Sequence, residues 1–268
     1  MKYLFVFILL IKFSNTFCQT GGDELLKEML HYQVKQLDEF INRFNYTTDV
    51  YGKPITEGHQ FTRSEYIFSI FDSNYLKKMD NKNILLVKDF VRYVVGKQPA
   101  LYLKMNENLY ALAQCEATYK GKNYPLAVLL NIELAPNGAA KWVVVDAKAD
   151  FLQLPARKND PSIYIPPNSH ETNFMGMRKE LEKTQQITDY TAKTFQADLF
   201  SIFLFEIYNK NLKINTINKI TYHFFQAEGY TFSVDFFNRP EKNSGWLISK
   251  LAKLEEEKKN YLKKIMAQ

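Results

Sequence analysis

Apolar positions along this chain switch between two spacings, and each switch predicts a change of element. Leu26, Leu30, Leu37, Ile41 and Phe44 recur at helical spacing, with Val34 and Phe40 widening the stripe, so residues 23–44 are predicted to be an amphipathic helix. Asp23 and Glu24 stand at its start, where carboxylates favour the helix dipole. Residues 45–58 carry Gly52-Lys53-Pro54 and read as a loop. A shorter helix is expected over 63–71, with Thr62 or Ser64 as its cap. Residues 83–95 fit a helix, although Val91, Val94 and Val95 also allow a strand.

From Ala100 to about Leu152 the period becomes two. Leu101 and Leu103 open it. Strands over 109–119 and 124–134 are joined by Lys120-Gly121-Lys122-Asn123, a hairpin turn. Pro136-Asn137-Gly138 makes the next turn, and 141–145 is a third strand extending toward Phe151. Pro155, Pro161, Pro166 and Pro167 then interrupt any regular element, so 155–169 reads as a linker.

Helices followed by strands come again after it. Residues 173–186 are a candidate helix, and 194–208 form a second, apolar on nearly every side and therefore expected to be heavily buried. Strands over 217–226 and 230–237 turn at Ala227-Glu228-Gly229, and 246–251 closes the set. A charged helix ends the chain, with Leu251, Leu254, Tyr261, Leu262 and Ile265 on one stripe. Each half holds a strand opened by Tyr (Tyr124, Tyr230), a turn rich in Asn, Pro and Gly, and a strand opened by Trp (Trp142, Trp246). The pattern suggests an internal repeat within an α+β fold, and both tryptophans are expected to be core residues closing a sheet.

Composition supports a β-containing core. Of 268 residues, 46% are hydrophobic and 15% aromatic, enough for one large domain or two small ones. The net charge of +6 gathers partly at the two ends, and the C-terminal lysines alternate with Glu255, Glu256 and Glu257 as on a solvated helix. That alternation gives no phosphate track, and nucleic acid is not an expected partner.

Residues 1–18 read as a secretory signal peptide. Lys2 precedes an unbroken apolar run from Leu4 to Ile11, too short to span a bilayer, and Ser14, Asn15 and Thr16 form a polar end. Cleavage after Cys18 is expected, with lipidation of Cys18 as the alternative. The organisation is then 1–18 signal peptide, 19–154 first α+β unit, 155–169 linker and 170–268 second unit. The mature chain would be soluble and periplasmic or extracellular, without a transmembrane anchor. Its single cysteine, Cys115, would have no partner for an intramolecular disulfide and alternates onto the apolar side of its strand.

The helix ending Phe40-Ile41-Asn42-Arg43-Phe44, the hairpin 109–134, Lys141-Trp142-Val143-Val144-Val145, the strands 220–237 and Gly245-Trp246-Leu247-Ile248 together resemble the nuclear transport factor 2-like superfamily of cone-shaped, cystatin-related α+β domains. The resemblance covers one such unit or two in tandem. It implies helices packed on curved antiparallel sheets and a concave pocket, and says little about chemistry. The signal segment and aromatic content also look like those of exported proteins of Gram-negative gut bacteria.

Chemistry is sparse. His31, His59, His170 and His223 are not spaced as metal ligands, and neither a Gly-rich phosphate loop nor a nucleophile elbow is present. His31 lies beside the apolar stripe of its helix, while His59 and His170 fall in predicted loops. Asp146, Asp150, Asp160 and Asp189 are too dispersed to pair. His223 is the one candidate, because Asp235 on the partner strand falls opposite or diagonal to it. A His–Asp pair inside a cone could do acid–base work, against the plainer alternative of an outward polar face with Thr221 and Ser233. No catalytic, cofactor-binding or metal-binding residue is assigned and no cofactor is expected. The favoured expectation is a non-enzymatic periplasmic module that binds a protein or small-molecule ligand, with a homodimer possible. A small-molecule enzyme and a component of an envelope secretion or conjugation assembly are the alternatives.

Overall fold

In a computed structural model the described residues are 34–153, 182, 187–240 and 243–267. The predicted signal segment, the start of the first helix, the proline-rich stretch, nearly all of the 173–186 helix, His31 and His170 lie outside them. The chain divides into two compact units. One comprises Met1–Gln114, Val128–Val145 and Asn218–Gln268, the other Cys115–Ala127 and Asp146–Ile217.

The described residues of the first unit open with extended backbone at Val34. Val34 bridges Gly245, its N–H donating to the Ser244 carbonyl at 3.2 Å and its carbonyl accepting from the Trp246 N–H at 2.8 Å. Gly245 has φ +91, and a Cβ there would run into the Val34 backbone, so glycine alone permits this approach. Of the described part of the expected first helix, Val34 is therefore extended and helix α1 runs over Leu37–Asn45, where Tyr46 ends it at φ 61. Helix α2 (Arg63–Ser69) has a reciprocal cap between Thr62 and Glu65. Asp72 caps the short α3 (Ser73–Lys77), accepting from Asn74 and Tyr75. Residues 83–95 belong to α4 (Asn81–Gly96), where the Asp80 carboxylate accepts from the Asn83 N–H at 2.8 Å. That cap, with Val87, Phe90, Val91 and Val94 on one buried stripe, outweighs the strand preference of the valines.

Six strands follow among the described residues: β1 (Leu109–Tyr119), β2 (Lys122–Leu134), β3 (Ala140–Lys148), β4 (Leu212–Phe224), β5 (Tyr230–Phe237) and β6 (Gly245–Lys253). They form one sheet in the order β3-β2-β1-β4-β5-β6, so both Tyr–hairpin–Trp patterns belong to the same sheet. Leu101 and Leu103 do not open a strand. They lie in the connection before β1, where the Asn45 side chain accepts from the Leu103 N–H and donates to its carbonyl. The class is α+β.

Within the first unit, α1, α2 and α4 lay their stripes on one face of the sheet. Phe40, Phe44, Phe90, Phe224 and Phe232 form a continuous ring cluster, with Phe224 stacked on Phe232 at 4.9 Å between ring centres and Phe90 edge-on to Phe232 at 5.6 Å. Polar ties lock the helices to the sheet. Buried Asn243 donates to the Ser69 and Phe71 carbonyls and accepts from the Ser73 N–H, and Arg239 pairs with Asp72 at 2.8 Å. On the opposite face, α6 (Lys258–Met266) carries Tyr261 to within 5.4 Å of Phe225, ring centre to ring centre.

In the second unit Tyr119 stacks on Phe151 at 4.5 Å, with Tyr124 at 5.1 Å from the same ring. Helix α5 (Leu199–Tyr208) is capped by Asp198 and packs near the short 3-10 turn Asp150–Leu152. Heavy burial was the expectation for this apolar helix, and the structure corrects it. Phe203 alone is buried, while Leu204, Phe205 and Tyr208 face outward. Apolarity on nearly every side does not itself decide which sides meet a core; neighbouring elements do.

Candidate ligand-binding face

Strand β4 sends alternate side chains to opposite faces of the sheet, and the two faces hold different groups. Tyr222 shares its face with core residue Phe224; His223 shares the other with Thr221 and Phe225.

On the Tyr222 face, the Phe225 N–H donates to the Asn108 carbonyl at 2.9 Å, so antiparallel pairing puts Ala111 of β1 beside Tyr222. A methyl group there leaves the phenol ring free to lean across β1. Tyr222 indeed meets both tryptophans: Trp142 of β3 at 5.9 Å and Trp246 of β6 at 4.8 Å between ring centres. Strands β3 and β4 are three steps apart in the sheet, roughly 14 Å if it were flat. The Trp142–Tyr222 contact therefore requires the sheet to curl toward this face. Phe236 adds an edge-on contact to Trp246 at 5.3 Å. The cluster is open to solvent at two of its members: Trp142 retains 39% exposure and Phe236 44%, and Tyr222 and Trp246 are half-buried. Trp142 is thus not the core residue its strand pattern suggested. Burial pushes the Tyr222 phenol above its ordinary value, so at neutral pH it remains a hydrogen-bond donor.

On the opposite face, the register sets His223 across from Ser233 and Thr221 across from Asp235. His223 Nδ1 lies 3.1 Å from Ser233 Oγ, and the Tyr261 ring of α6 covers the imidazole edge-on at 5.9 Å. Nε2 is buried and has no hydrogen-bond partner among the described residues. Burial lowers the His223 pKa to about 4; Asp235 opposes that, and Lys250 and Lys219 reinforce it. Asp235 is occupied elsewhere, accepting from Thr221 at 2.6 Å and pairing with Lys219 at 2.9 Å. Burial works against its charge, yet hydrogen bonds from Ser249, Thr221 and Lys219 hold its carboxyl below the usual range. The pair that sequence placed inside a cone is therefore diagonal, on the face under α6, and its histidine is neutral and covered. Acid–base chemistry needs a substrate within hydrogen-bond reach, which this covering denies.

Other titratable groups give no constellation. His59 is half-buried, with Nε2 3.0 Å from the Tyr66 hydroxyl, whose pKa desolvation pushes to about 12. Burial raises the Cys115 thiol, consistent with an inert core cysteine. Asp160 lies outside the described residues, and no group of three His, Cys, Asp or Glu side chains able to hold a metal occurs among them. Nor is any helix among the described residues long and apolar enough to cross a membrane.

Tyr222 was not singled out by the sequence. The available signal was its place between Thr221 and His223, on the face opposite the histidine that drew attention. No protein-family profile, curated protein or solved structure matches the chain.

Proposed function

We propose that this protein is a non-enzymatic binding module whose open aromatic face receives a ring-bearing or apolar ligand, either a small molecule or an aromatic side chain of a protein. The observation that carries it is the cluster of Trp142, Tyr222, Trp246 and Phe236 on the curled face of the sheet, with Trp142 and Phe236 exposed. Such rings offer flat apolar contact and edges at low conformational cost, and the protonated Tyr222 hydroxyl supplies one directed donor. Covering of His223 by Tyr261 supports binding over catalysis.

The reading extends to setting and ancestry. Residues 1–18 as a signal peptide place the mature chain outside the cytoplasm, soluble or, through Cys18, lipid-anchored. A curled sheet with helices on its inner face is consistent with a nuclear transport factor 2-like cone.

A thermal-shift panel of glycans, aromatic heterocycles and short acyl compounds tests the binding. A ligand at one hundred times its dissociation constant adds about 2.7 kcal/mol to the folded state. At least one class should raise the melting temperature of the wild type and not of Tyr222→Ser. Failure of every class, or a shift that Tyr222→Ser retains, would overturn the reading.

A further inference from the structure

Helix α5 in the second unit reverses the usual order of a surface helix. Phe203 points inward, and the face opposite it, Ser201, Leu204, Phe205 and Tyr208 at i, i+3, i+4 and i+7, points to solvent. Exposure on that stripe is 47% for Leu204, 62% for Phe205 and 82% for Tyr208. Three large apolar groups in one row on the outside of a helix cost solvation in the free protein and imply something that covers them.

The charge around the row narrows what that is. Helix α5 ends in the turn Tyr208–Leu212, which is tied to the β1–β2 turn by the Lys120 N–H donating to the Asn211 carbonyl at 3.1 Å. The two turns bring together the exposed lysines Lys120, Lys122, Lys210 and Lys213, and no acidic residue occurs in residues 119–124 or 208–213. Lys120 rests its ammonium 4.9 Å from the centre of the Tyr119 ring, where the hydrogen bond to that phenol helps keep it protonated. Glu206, within α5, is half-buried and does not belong to the outward row.

Two occupants fit less well. A second copy of this chain would set one lysine cluster against another if it docked row to row. A protein with a specific binding site would look for several directed hydrogen bonds, yet Ser201 already donates to Asp198 and the neighbouring Asn209 side chain to the Phe205 carbonyl at 2.9 Å, which leaves only the Tyr208 hydroxyl at the end of the row. What remains is apolar penetration and positive charge without direction, which is the chemistry of an anionic lipid interface. The Tyr208 ring, apolar in body and polar at its tip, suits the same depth.

We propose that the outward row of α5, with the lysines of the two adjoining turns, is a peripheral docking site for anionic phospholipid bilayers. The helix lies along the interface with Leu204, Phe205 and Tyr208 among the acyl chains and the lysine ammonium groups at phosphate level. This goes beyond ligand binding at the aromatic face and is independent of it, because the two sites share no residue.

The test is co-sedimentation of the full chain with vesicles of phosphatidylcholine alone and of phosphatidylcholine with phosphatidylglycerol. Binding to the anionic vesicles should be at least about tenfold tighter than to the neutral ones, and should weaken as salt rises. Leu204→Ser/Phe205→Ser/Tyr208→Ser should lose binding about tenfold or more with an unchanged melting temperature. Lys210→Glu/Lys213→Glu should remove the preference for the anionic lipid. Equal binding to both vesicles, no binding to either, or full binding by the triple serine variant would overturn the proposal. So would a wild-type dimer in light scattering that the triple variant converts to monomer, since a second copy would then be the occupant. Tyr222→Ser should bind vesicles like the wild type, which keeps failure here separate from failure of the aromatic-face reading.

Discussion

Tyr222 and His223 are neighbours on one strand, and they face opposite fates. Tyr222 joins a row of rings that remains open at Trp142 and Phe236. His223 is closed in by Ser233 and the Tyr261 ring, with one ring nitrogen left without a hydrogen bond among the described residues. Strand alternation separates the two faces from sequence alone, because side chains must alternate on a pleated backbone. It does not say which face another element will cover. The residue with the more reactive side chain is the covered one, and the residue with no special chemistry lies where the helix-bearing face opens at Trp142 and Phe236.

The comparison can be broken most forcefully within the Tyr222 face itself, where Phe224 lies deep in the ring cluster and Trp142 stands at its open end. Phe224→Ala should lower the unfolding free energy by about 3–5 kcal/mol in urea denaturation, because a fully buried ring leaves a cavity. If Trp142→Ala cost as much, the open end of this face would have to be closed by packing.

The opposite face is probed by pH. His223 titrates near 4 in the folded chain and near 6.5 when unfolded. Between those values the unfolded state holds more protons, so the His223 contribution is complete above about pH 6.5 and is lost as pH falls to 4. The loss totals roughly 3 kcal/mol and does not grow further at lower pH. The Asp235 carboxyl is also held below its ordinary value, so its contribution too is lost as pH falls, but that loss sets in only near and below the ordinary carboxylate value, at the acid end of that window. His223→Leu should flatten the stability profile between pH 6.5 and 4; an unchanged slope would show that the imidazole is not buried neutral.

A smaller effect tests the cover. Tyr261→Ala should cost about 1–2 kcal/mol and move the His223 titration up toward its ordinary value as water reaches the ring, read by NMR of the imidazole protons. The smallest effect belongs to the second unit: Phe205→Ser at 62% exposure should change stability by no more than about 0.5 kcal/mol, although the same change at Phe203 should be costly.

Much of this fold was legible in sequence. The hairpins at Lys120-Gly121 and Ala227-Glu228-Gly229, the Thr62 cap and the α+β order follow from local chemistry that tertiary contacts had no reason to override. Three features were not legible, each for a stated cause. The break in the expected first helix at Val34 comes from pairing with Gly245, about two hundred residues away in sequence, and no local pattern carries that contact. The exposure of helix α5 could not be read because nothing in its composition says what packs on it. The Trp142 contact with Tyr222 depends on sheet curl and on the small side chain of Ala111 between them, a coincidence of three strands. The candidate site was therefore half visible: its tryptophans were noticed, its central tyrosine and its openness were not.

The most direct measurement of the open aromatic face is the emission of Trp142 alone, in a Trp246→Phe chain, with acrylamide as quencher. Because Trp142 is the more exposed of the only two tryptophans, the account predicts red-shifted emission that acrylamide quenches readily, and that a ligand of this face shifts to the blue and protects. Blue emission that resists quenching in the ligand-free protein would contradict it, because the curled face would then be closed to any ligand.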